Sequence, residues 1–422
     1  MIGYDSAFIG GTISLPSFQD EFNWAQHSQS QKDTLSANIV SCYQAGAIFG
    51  AFAAYVAGHY LGRKKGLQVV AGIFILGAGL MLGANRDRGL ALIYAGRVLA
   101  GVGVGGASNL TPIYISELSP PAIRGRLVGL YELGWQIGGL VGFWINYGIL
   151  NGMPSSHSQW IIPFAVQLIP AGLMFIGLFF IRESPRWLME RGHRERALRN
   201  LCWIRQLDIN DMYMLEEVSA IDAVLEHQRS TVGVGFWQPF RALGRDRKVM
   251  YRFFLAVSLF FWQNGSGINA INYYSPTVFK SIGVVGTNTS LFTTGIFGVI
   301  KTVFTLIWLF FLIDKLGRRN LLMIGAIGGS ICLWYVGAYI AVADPTNNPT
   351  PQLSGGGISA MFFFYLWTAF YTPSWNGTPW VYNSEIFPQN VRTLGQACAA
   401  GSNWVRFSFR PSQTTYQKLT FF

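Results

Sequence analysis

The chain has 422 residues, of which 51% are apolar, 15% aromatic and only 12% charged, with 49 glycines and a formal net charge of +11. An ordinary soluble domain has about 25% charged residues, so this composition excludes that class and indicates a membrane protein. Many of the lysines and arginines lie in loops expected on the cytoplasmic side and in the long segment 182–252, so the net charge reflects membrane topology and requires no nucleic-acid partner.

Ten segments are apolar and long enough to cross a bilayer as helices, which takes about 20 residues each. Their ranges, in chain order, are 35–58, 66–84, 90–113, 125–149, 160–181, 251–279, 290–313, 320–342, 358–381 and 393–407. Residues 1–15 have the apolar and glycine content of a further span but are too short to cross, so we expect a partial first span. The pattern predicts an all-α membrane protein.

Positively charged loops predict the topology, because lysine and arginine stay on the cytoplasmic side. The loops at 62–66, 123–127 and 316–320 read "GRKKG", "IRGRL" and "LGRRN" and are expected inside. The loops at 151–160 and 344–357 contain no lysine or arginine and are expected outside.

An internal repeat divides the chain. "SELSPPAIR" (116–124) matches "SEIFPQNVR" (384–392), and "YLGRKKG" (60–66) matches "KLGRRN" (315–320), in the same order. Duplicated helical bundles around a midplane site are a common transporter architecture. We therefore predict two transmembrane halves, 1–181 and 253–407, a cytoplasmic connector, 182–252, and an atypical tail, 408–422.

The charged residues of the inner loops predict a cytoplasmic gate. Glutamate at one helix end and arginine on its neighbours can form ion pairs that hold the two halves together, and exposed pairs are weak enough to break in each cycle. Simple anchoring by positive charge is the alternative, but it leaves Glu117 and Glu385 unexplained. The predicted gate residues are Arg63, Glu117, Arg124, Glu183, Arg186, Asp314, Arg318, Glu385 and Arg392.

A glycine motif lies within one span. Gly101, Gly103 and Gly106 form a G-x-G-x-x-G pattern, which in a soluble protein would indicate a dinucleotide-binding loop. Within a span, small residues that let helices approach closely are the better interpretation. The four cysteines and five histidines lack ligand spacing, so we expect no metal and no cofactor.

Several of these motifs carry a family resemblance. Together with "RESPRW" (182–187), "GRVLAGVGVG" (96–105) and "QNGSGINAINYYSPTVF" (263–279), the repeated loops resemble the sugar porter family of the major facilitator superfamily over nearly the whole chain. "WQNGSGINAINYYSPTVFKSIG" (262–283) and "FYTPSWNGTPWVYNSEIFP" (370–388) look most like fungal quinate permeases, whose close relatives include galacturonate transporters. The resemblance implies a twelve-helix fold, alternating access and proton symport.

The resemblance also implies site residues. The family's proton site matches Asp5, and the arginine that pairs with it matches Arg97. Amides suit the hydroxyl groups of a polyol ring, and an indole supplies a flat apolar wall. The family's sugar-binding positions match Gln263, Asn264, Asn269, Tyr273, Trp380 and Asn403.

Departures from the family pattern concern charge and the chain's end. Glu132 replaces a binding glutamine, Lys301 replaces a binding asparagine, and His59 replaces an aspartate of the inner-loop motif. After Trp404 the chain is too polar and basic to complete a span, so we expect the twelfth span to be missing, through a gene-model error or a real truncation.

Lys301 lies in the middle of an apolar run, and charged groups at bilayer depth usually mark a transport pathway. Three structural explanations compete: the side chain snorkels to an interface, pairs permanently with Glu132 or another carboxylate, or is neutral. The functional interpretation is that Lys301 is the counter-charge for a substrate carboxylate.

These features predict a proton-coupled plasma-membrane importer of a small polyhydroxylated acid, with quinate favoured. The alternatives are a galacturonate or neutral hexose symporter, a non-transporting nutrient sensor, and an inactive truncated product. An enzyme is not expected, because the sequence shows no nucleophile–base or metal constellation. The expected partners are the substrate, protons and the lipid bilayer.

Overall fold

The computed structural model describes residues 1–231, 235–313, 315–345, 354–387 and 389–404, and every regular element among them is a helix. The amino-terminal half contains Ile2–Ile13 (α1), Pro16–Glu21 (α2), Gln29–Tyr60 (α3), Gly62–Leu82 (α4), Ala91–Leu118 (α5), Arg124–Gly152 (α6), His157–Val166 (α7) and Leu168–Phe180 (α8). The connector contains Pro185–Glu190 (α9), Arg194–Arg205 (α10), Met212–Thr231 (α11) and Gln238–Arg245 (α12).

The carboxyl-terminal half contains Arg247–Gly265 (α13), Ile268–Ser281 (α14), Thr287–Ile307 (α15), Arg318–Ala343 (α16), Gly355–Tyr371 (α17), Thr378–Ile386 (α18) and Gln389–Trp404 (α19). A π-helical turn, Trp308–Leu312, extends α15, and a second, Thr372–Asn376, joins α17 to α18. The expected tail, 408–422, lies outside the described residues.

Six helical units among the described residues are long and apolar enough to cross a membrane. They are Gln29–Tyr60, Gly62–Leu82, Ala91–Leu118, His157–Phe180, Thr287–Leu312 and Arg318–Ala343. Each coincides with a predicted span. Large apolar side chains point outward from them, including Phe49 (73% exposed), Leu173 (68%) and Phe180 (79%). Such a surface is suited to contact with lipid.

One predicted span, 251–279, is wrong as a continuous helix. The structure breaks it into α13 and α14 at Ser266 and Gly267, and Gly267 has a left-handed conformation with φ of +79°. Glycine adopts that conformation without steric cost. The flanking apolar residues conceal the break in a hydropathy average. The break places Asn264, near the end of α13, in hydrogen-bonding contact with Asn269, near the start of α14.

The glycine motif packs α5 against its neighbours. A Cβ atom added at Gly101 would lie 2.1 Å from the carbonyl oxygen of Tyr43 on α3, and one at Gly105 would lie 1.9 Å from that of Ala47. On another face, a Cβ at Gly103 would lie 2.7 Å from the carbonyl of Val70 on α4. The motif therefore mediates close helix packing, as predicted from its place within a span.

The connector contacts helices of both transmembrane halves. The Tyr55 hydroxyl on α3 donates a hydrogen bond to the carbonyl of Phe236, at 2.7 Å. The Phe236 ring packs in one apolar cluster with Tyr55 and with Leu394 and Cys398 of α19. The segment before α12 therefore joins helices that belong to different halves.

Candidate functional site

Lys301 lies on α15, facing a central cavity between the two halves. Its side chain is buried, and its Nζ donates a hydrogen bond to Oδ1 of Asn272 on α14, at 3.1 Å. The ammonium lies 5.4 Å from the ring centroid of Phe297, a favourable cation–π geometry. Lys301 and Asn272 both line the cavity, together with Gln136 of α6. The lysine therefore points inward and does not snorkel to an interface.

Glu132, the carboxylate that the sequence suggests as a partner of Lys301, forms its hydrogen bonds with other residues. One of its carboxylate oxygens accepts hydrogen bonds from Nε2 of Gln136 and from Nδ2 of Asn376, each at 2.5 Å. Among the described residues, no carboxylate oxygen lies within the 4.0 Å of Lys301 Nζ that defines an ion pair. The standing pair between Lys301 and Glu132 is therefore not formed in this conformation.

The cavity is closed around a very small space. Its walls come from α1 (Gly3, Ala7), α6 (Trp135, Gln136), α14 and α15, and it holds only about 10 Å³ of free volume. A six-membered ring cannot enter without movement of these helices. Because α1 and α6 belong to one half while α14 and α15 belong to the other, admitting a ring requires the halves to separate here.

The predicted amides form a connected cluster at the helix break. Gln263 Nε2 donates to the carbonyls of Trp375 and Asn376, at 2.6 and 3.0 Å, and its Oε1 accepts from Asn403 Nδ2, at 2.7 Å. The π-helical turn ending at Asn376 supplies those carbonyls. The structure thus brings Gln263 and Asn403 together, as residues of one site require.

Asn264 and Asn269 extend this cluster. Asn264 Nδ2 donates to the carbonyl of Asn403, at 2.6 Å, and its Oδ1 accepts a hydrogen bond from Asn269 Nδ2. All four amides therefore lie in one network between α13, α14, α19 and the π-helical turn Thr372–Asn376, and they bond to protein groups in this conformation.

An aromatic wall lies between the two halves. Trp380 packs against Phe260, Tyr131 and Trp135, with ring centroids 4.7, 5.8 and 6.1 Å apart. Trp135 also stacks on Trp404 at an interplanar angle of 12°. The wall combines residues of α6, α13, α18 and α19, and the indole of Trp380 is buried within it.

Asp5 and Arg97 form a fully buried ion pair, as expected from the resemblance. Arg97 Nη1 lies 2.9 Å from Asp5 Oδ1, and both side chains are 0% exposed. Arg97 Nε donates to the carbonyl of Ile39, and its guanidinium lies 4.2 Å from the ring centroid of Tyr43. Asp5 Oδ2 and Arg97 Nη2 have no hydrogen-bond partner among the described residues. The hydrogen bonding of this pair is therefore incomplete among the described residues.

The predicted substrate residue Tyr273 lies close to this pair. It is buried on α14, and its carbonyl oxygen would lie 2.0 Å from a Cβ atom added at Gly10 of α1. Helix α1, which carries Asp5, is thus in tight contact with α14, which carries Tyr273.

The first gate cluster is a buried network in the amino-terminal half. Arg63 Nη2 lies 2.6 Å from Glu117 Oε1, and the two side chains are 6% and 9% exposed. Glu183 accepts hydrogen bonds from the backbone amides of Arg63, Lys64 and Ser184, at 2.9, 3.1 and 2.9 Å. These contacts join α4, α5 and the start of the connector.

The second gate cluster lies in the carboxyl-terminal half and is more exposed. Arg318 Nη2 lies 2.9 Å from Glu385 Oε1, with side chains 26% and 36% exposed. A Cβ atom at Gly125, at the start of α6, would lie 3.2 Å from that Arg318 nitrogen. The Arg63–Glu117 and Arg318–Glu385 pairs therefore each stay within one half, and the halves meet where Gly125 approaches the second pair.

The remaining gate residues have incomplete hydrogen bonding. Arg392 Nη2 donates to the carbonyl of Phe387, at 3.3 Å. Arg124 Nε, Arg186 Nη1 and Arg392 Nε are buried without hydrogen-bond partners among the described residues. Asp314 lies outside the described residues. The gate between halves stays a prediction.

Three polar residues of the site were not predicted from the sequence. Gln136 and Asn376 hold Glu132, and Asn272 holds Lys301. A signal existed for Gln136, which follows Glu132 by four residues and so shares its helix face. Asn272 and Asn376 depend on the break at Gly267 and on the π-helical turn, which no simple periodicity indicates.

Comparison with known families decides the class of this chain. A family model described as "Sugar (and other) transporter" matches residues 1–415. The chain belongs to this sugar transporter family. Its fold class and its non-enzymatic nature follow, because the family consists of membrane transporters.

Curated relatives of this sugar transporter come from fungi. A protein of Aspergillus flavus named "Probable quinate permease" is 70% identical over 417 residues, which cover 99% of this chain and 78% of the relative. A protein of the same name from Aspergillus niger is 68% identical over 417 residues, covering 99% and 77%. The predicted resemblance to quinate permeases is confirmed.

Solved structures confirm the major facilitator fold of this sugar transporter. The proton:xylose symporter XylE bound to 6-bromo-6-deoxy-D-glucose is 31% identical, with a TM-score of 0.79, covering 100% of this chain and 85% of that chain. A double tryptophan mutant of XylE is 30% identical, with a TM-score of 0.80, covering 96% and 83%. The sugar transporter is therefore a multi-pass membrane protein.

Proposed function

We propose that this sugar transporter imports quinate together with protons, by alternating access, across the plasma membrane. The observation that carries the proposal is Lys301, a buried ammonium at the central cavity with an amide partner and without an ion pair. An intramembrane charge of this kind calls for a counter-ion. The curated relatives named probable quinate permeases support the choice of acid.

The carboxylate of quinate binds Lys301 in this proposal. Asn272 holds the ammonium at 3.1 Å, so the charge has a fixed position, while an amide oxygen neutralises none of it. A carboxylate that enters the cavity gains a charge-assisted hydrogen bond in a poorly solvated place. A neutral ring gains no such contact. Lys301 thereby selects for acids.

The hydroxyl groups of the ring bind the amide cluster. Gln263, Asn264, Asn269 and Asn403 carry both donors and acceptors, and they now bond to one another and to backbone carbonyls. A polyol can replace those bonds one for one when the cavity opens. Glu132, Tyr273 and the Trp380 wall complete the proposed site.

Proton coupling rests on Asp5 and Arg97. Their ion pair is completely buried and incompletely hydrogen-bonded, so the carboxylate depends on its one partner. If the helices rearrange and separate the pair, the carboxylate loses its counter-charge and captures a proton. Contact between α1 and α14 ties that event to the substrate helix.

Alternating access requires the two halves, 1–181 and 253–407, to move about the cavity while the connector, 182–252, spans them. The gate residues close the cytoplasmic side in this proposal. The Arg318–Glu385 pair is partly exposed and contacts Gly125 of the other half, so breaking it has a low cost.

Galacturonate is the second candidate, because Lys301 favours any ring acid that fits the cavity. A neutral hexose would offer the ammonium no carboxylate to bind. We expect the substrate preference to follow charge first and ring shape second.

Uptake of labelled quinate, galacturonate and glucose by yeast cells that express the chain tests the proposal. Import of quinate should exceed that of glucose, rise at acidic external pH and fall when a protonophore collapses the gradient. Proteoliposomes contain no metabolic enzymes, so uptake into them under an imposed pH gradient separates transport from metabolism of the labelled compound. Preferred uptake of glucose, or uptake of quinate that does not depend on the proton gradient, would contradict the proposal.

A further inference from the structure

A second cavity, of about 310 Å³, lies away from the central site. It is formed by the start of α4, the end of α8 and one face of α10 in the connector. Its lining includes four basic residues, Lys64, Arg182, Arg196 and Arg199, and one acidic residue, Glu183. The proposed function uses none of these four basic side chains.

Within the described residues, the four basic side chains of this cavity outnumber its one carboxylate. Glu183 is buried, and its carboxylate accepts hydrogen bonds from the backbone amides of Arg63, Lys64 and Ser184. Among the described residues, none of the four basic side chains forms an ion pair within 4.0 Å. The cavity therefore presents a concentrated positive charge with room for an anion.

Two of the basic side chains are held in position. Lys64 Nζ donates to the carbonyl of Phe179, at 3.0 Å. The Arg182 guanidinium lies 5.0 Å from the ring centroid of Trp203 and donates to Asn200 Oδ1, at 3.3 Å. These contacts reduce the entropy lost when an anion binds, because both side chains already occupy defined positions.

The other two side chains form an exposed pair. Arg196 and Arg199 are three residues apart on α10, so they lie on the same helix face. Their guanidinium groups can each donate two parallel hydrogen bonds, a geometry that suits phosphate oxygens.

The cavity is at the edge of the lipid-facing surface. It adjoins the end of the apolar unit His157–Phe180, where Phe179 and Phe180 are 59% and 79% exposed. A ligand held here by its phosphate has apolar protein surface directly beside it, on which acyl chains can lie. Basic pockets at the cytoplasmic ends of spans bind anionic lipid headgroups in this way.

We propose that this basic cavity binds the phosphate group of an anionic phospholipid of the cytoplasmic leaflet. The bound headgroup ties α4, α8 and α10 together. Lys64 contributes its side chain to the cavity and its backbone amide to Glu183, which also accepts from Arg63 of the first gate cluster. Lipid binding therefore stabilises the first gate cluster of the amino-terminal half.

Direct binding measurements on the purified full chain test the proposal. The probes are dioctanoyl phosphatidylinositol phosphate, its free inositol bisphosphate headgroup, inorganic phosphate and dioctanoyl phosphatidylcholine. The test variant is the double substitution Arg196→Gln with Arg199→Gln. The matched control removes two exposed basic residues elsewhere in the cytoplasmic region, Arg245→Gln with Lys248→Gln, and thermal unfolding verifies that both variants are folded.

The anionic lipid should bind the unaltered protein and the control with equal affinity, and the test variant about tenfold or more weakly. Phosphatidylcholine and the free headgroup should bind more weakly than the anionic lipid. Equal lipid affinity in all three proteins, or no lipid binding, would overturn the proposal. Inorganic phosphate or free headgroup binding as tightly as the lipid would also overturn it, by identifying a site for soluble phosphates.

Discussion

Lys301 on α15 donates its hydrogen bond to Asn272, on the helix that starts directly after the break at Gly267. Because the chain breaks there, α14 begins at Ile268 and presents the amide oxygen of Asn272 to the ammonium. A neutral oxygen orients the lysine while leaving its charge available. Two helices of the same half thus hold a cation at the boundary with the other half.

Replacing Lys301 by Asn should weaken quinate transport selectively. A hydrogen bond to a charged group is worth about 1.5–3 kcal/mol, so the half-saturation concentration for quinate should rise about ten- to a hundredfold. Competition by an uncharged ring analogue, such as the methyl ester, should change little. Lys280→Asn removes an exposed lysine and is the control. Equal losses for acid and ester would show that Lys301 is structural.

Replacing Asp5 by Asn should abolish uphill accumulation and its dependence on pH. An amide cannot carry the proton, yet it keeps the shape of the carboxyl group beside Arg97, so downhill exchange should persist. Counterflow in proteoliposomes measures exchange, and an imposed pH gradient measures accumulation. Asp20→Asn, at an exposed aspartate, should behave as the unaltered protein. Proton-driven accumulation by Asp5→Asn would remove Asp5 from the coupling mechanism.

The two gate pairs should differ sharply in their contribution to stability. Arg63→Gln leaves Glu117 buried without its charge partner, a change that costs about 3–5 kcal/mol in unfolding free energy. Arg318→Gln breaks a partly exposed pair and should cost about 0–1 kcal/mol. Unfolding of the purified variants in detergent compares the two. A loss of the same size in both variants would refute the expected difference between a buried pair and a partly exposed pair.

Gly105→Ala should destabilise the amino-terminal half. The added methyl group would meet the carbonyl of Ala47 at 1.9 Å, so α3 and α5 must move apart, at a cost of about 1–3 kcal/mol or more. Gly79→Ala is the matched control, because its methyl group meets nothing within 4 Å on an exposed face of α4. The control should gain up to about 1 kcal/mol. Thermal unfolding that ranks the variants in the opposite order would contradict this packing.

The sequence predicted the helices, the helix-packing role of the glycine motif and the charged residues of interest. Lys301 is conspicuous within an apolar run, and the repeated loops suggest a gate, which stays a prediction. The pairing of Asp5 with Arg97 was expected from the resemblance and is observed. The partner of Lys301 was not predictable. Whether Lys301 meets Glu132 or Asn272 depends on where α14 restarts after Gly267, and a difference of one helical turn changes the answer. Periodicity describes a helix face, whereas partner choice depends on how broken helices cross.

The π-helical turns, Trp308–Leu312 and Thr372–Asn376, both lie in the carboxyl-terminal half among the described residues. Such turns are rare and occur frequently at functional sites. The second turn supplies the carbonyls of Trp375 and Asn376 to the side chain of Gln263, a predicted substrate residue. Any change in the winding of this turn therefore alters the hydrogen bonds of Gln263 and of the amides connected to it.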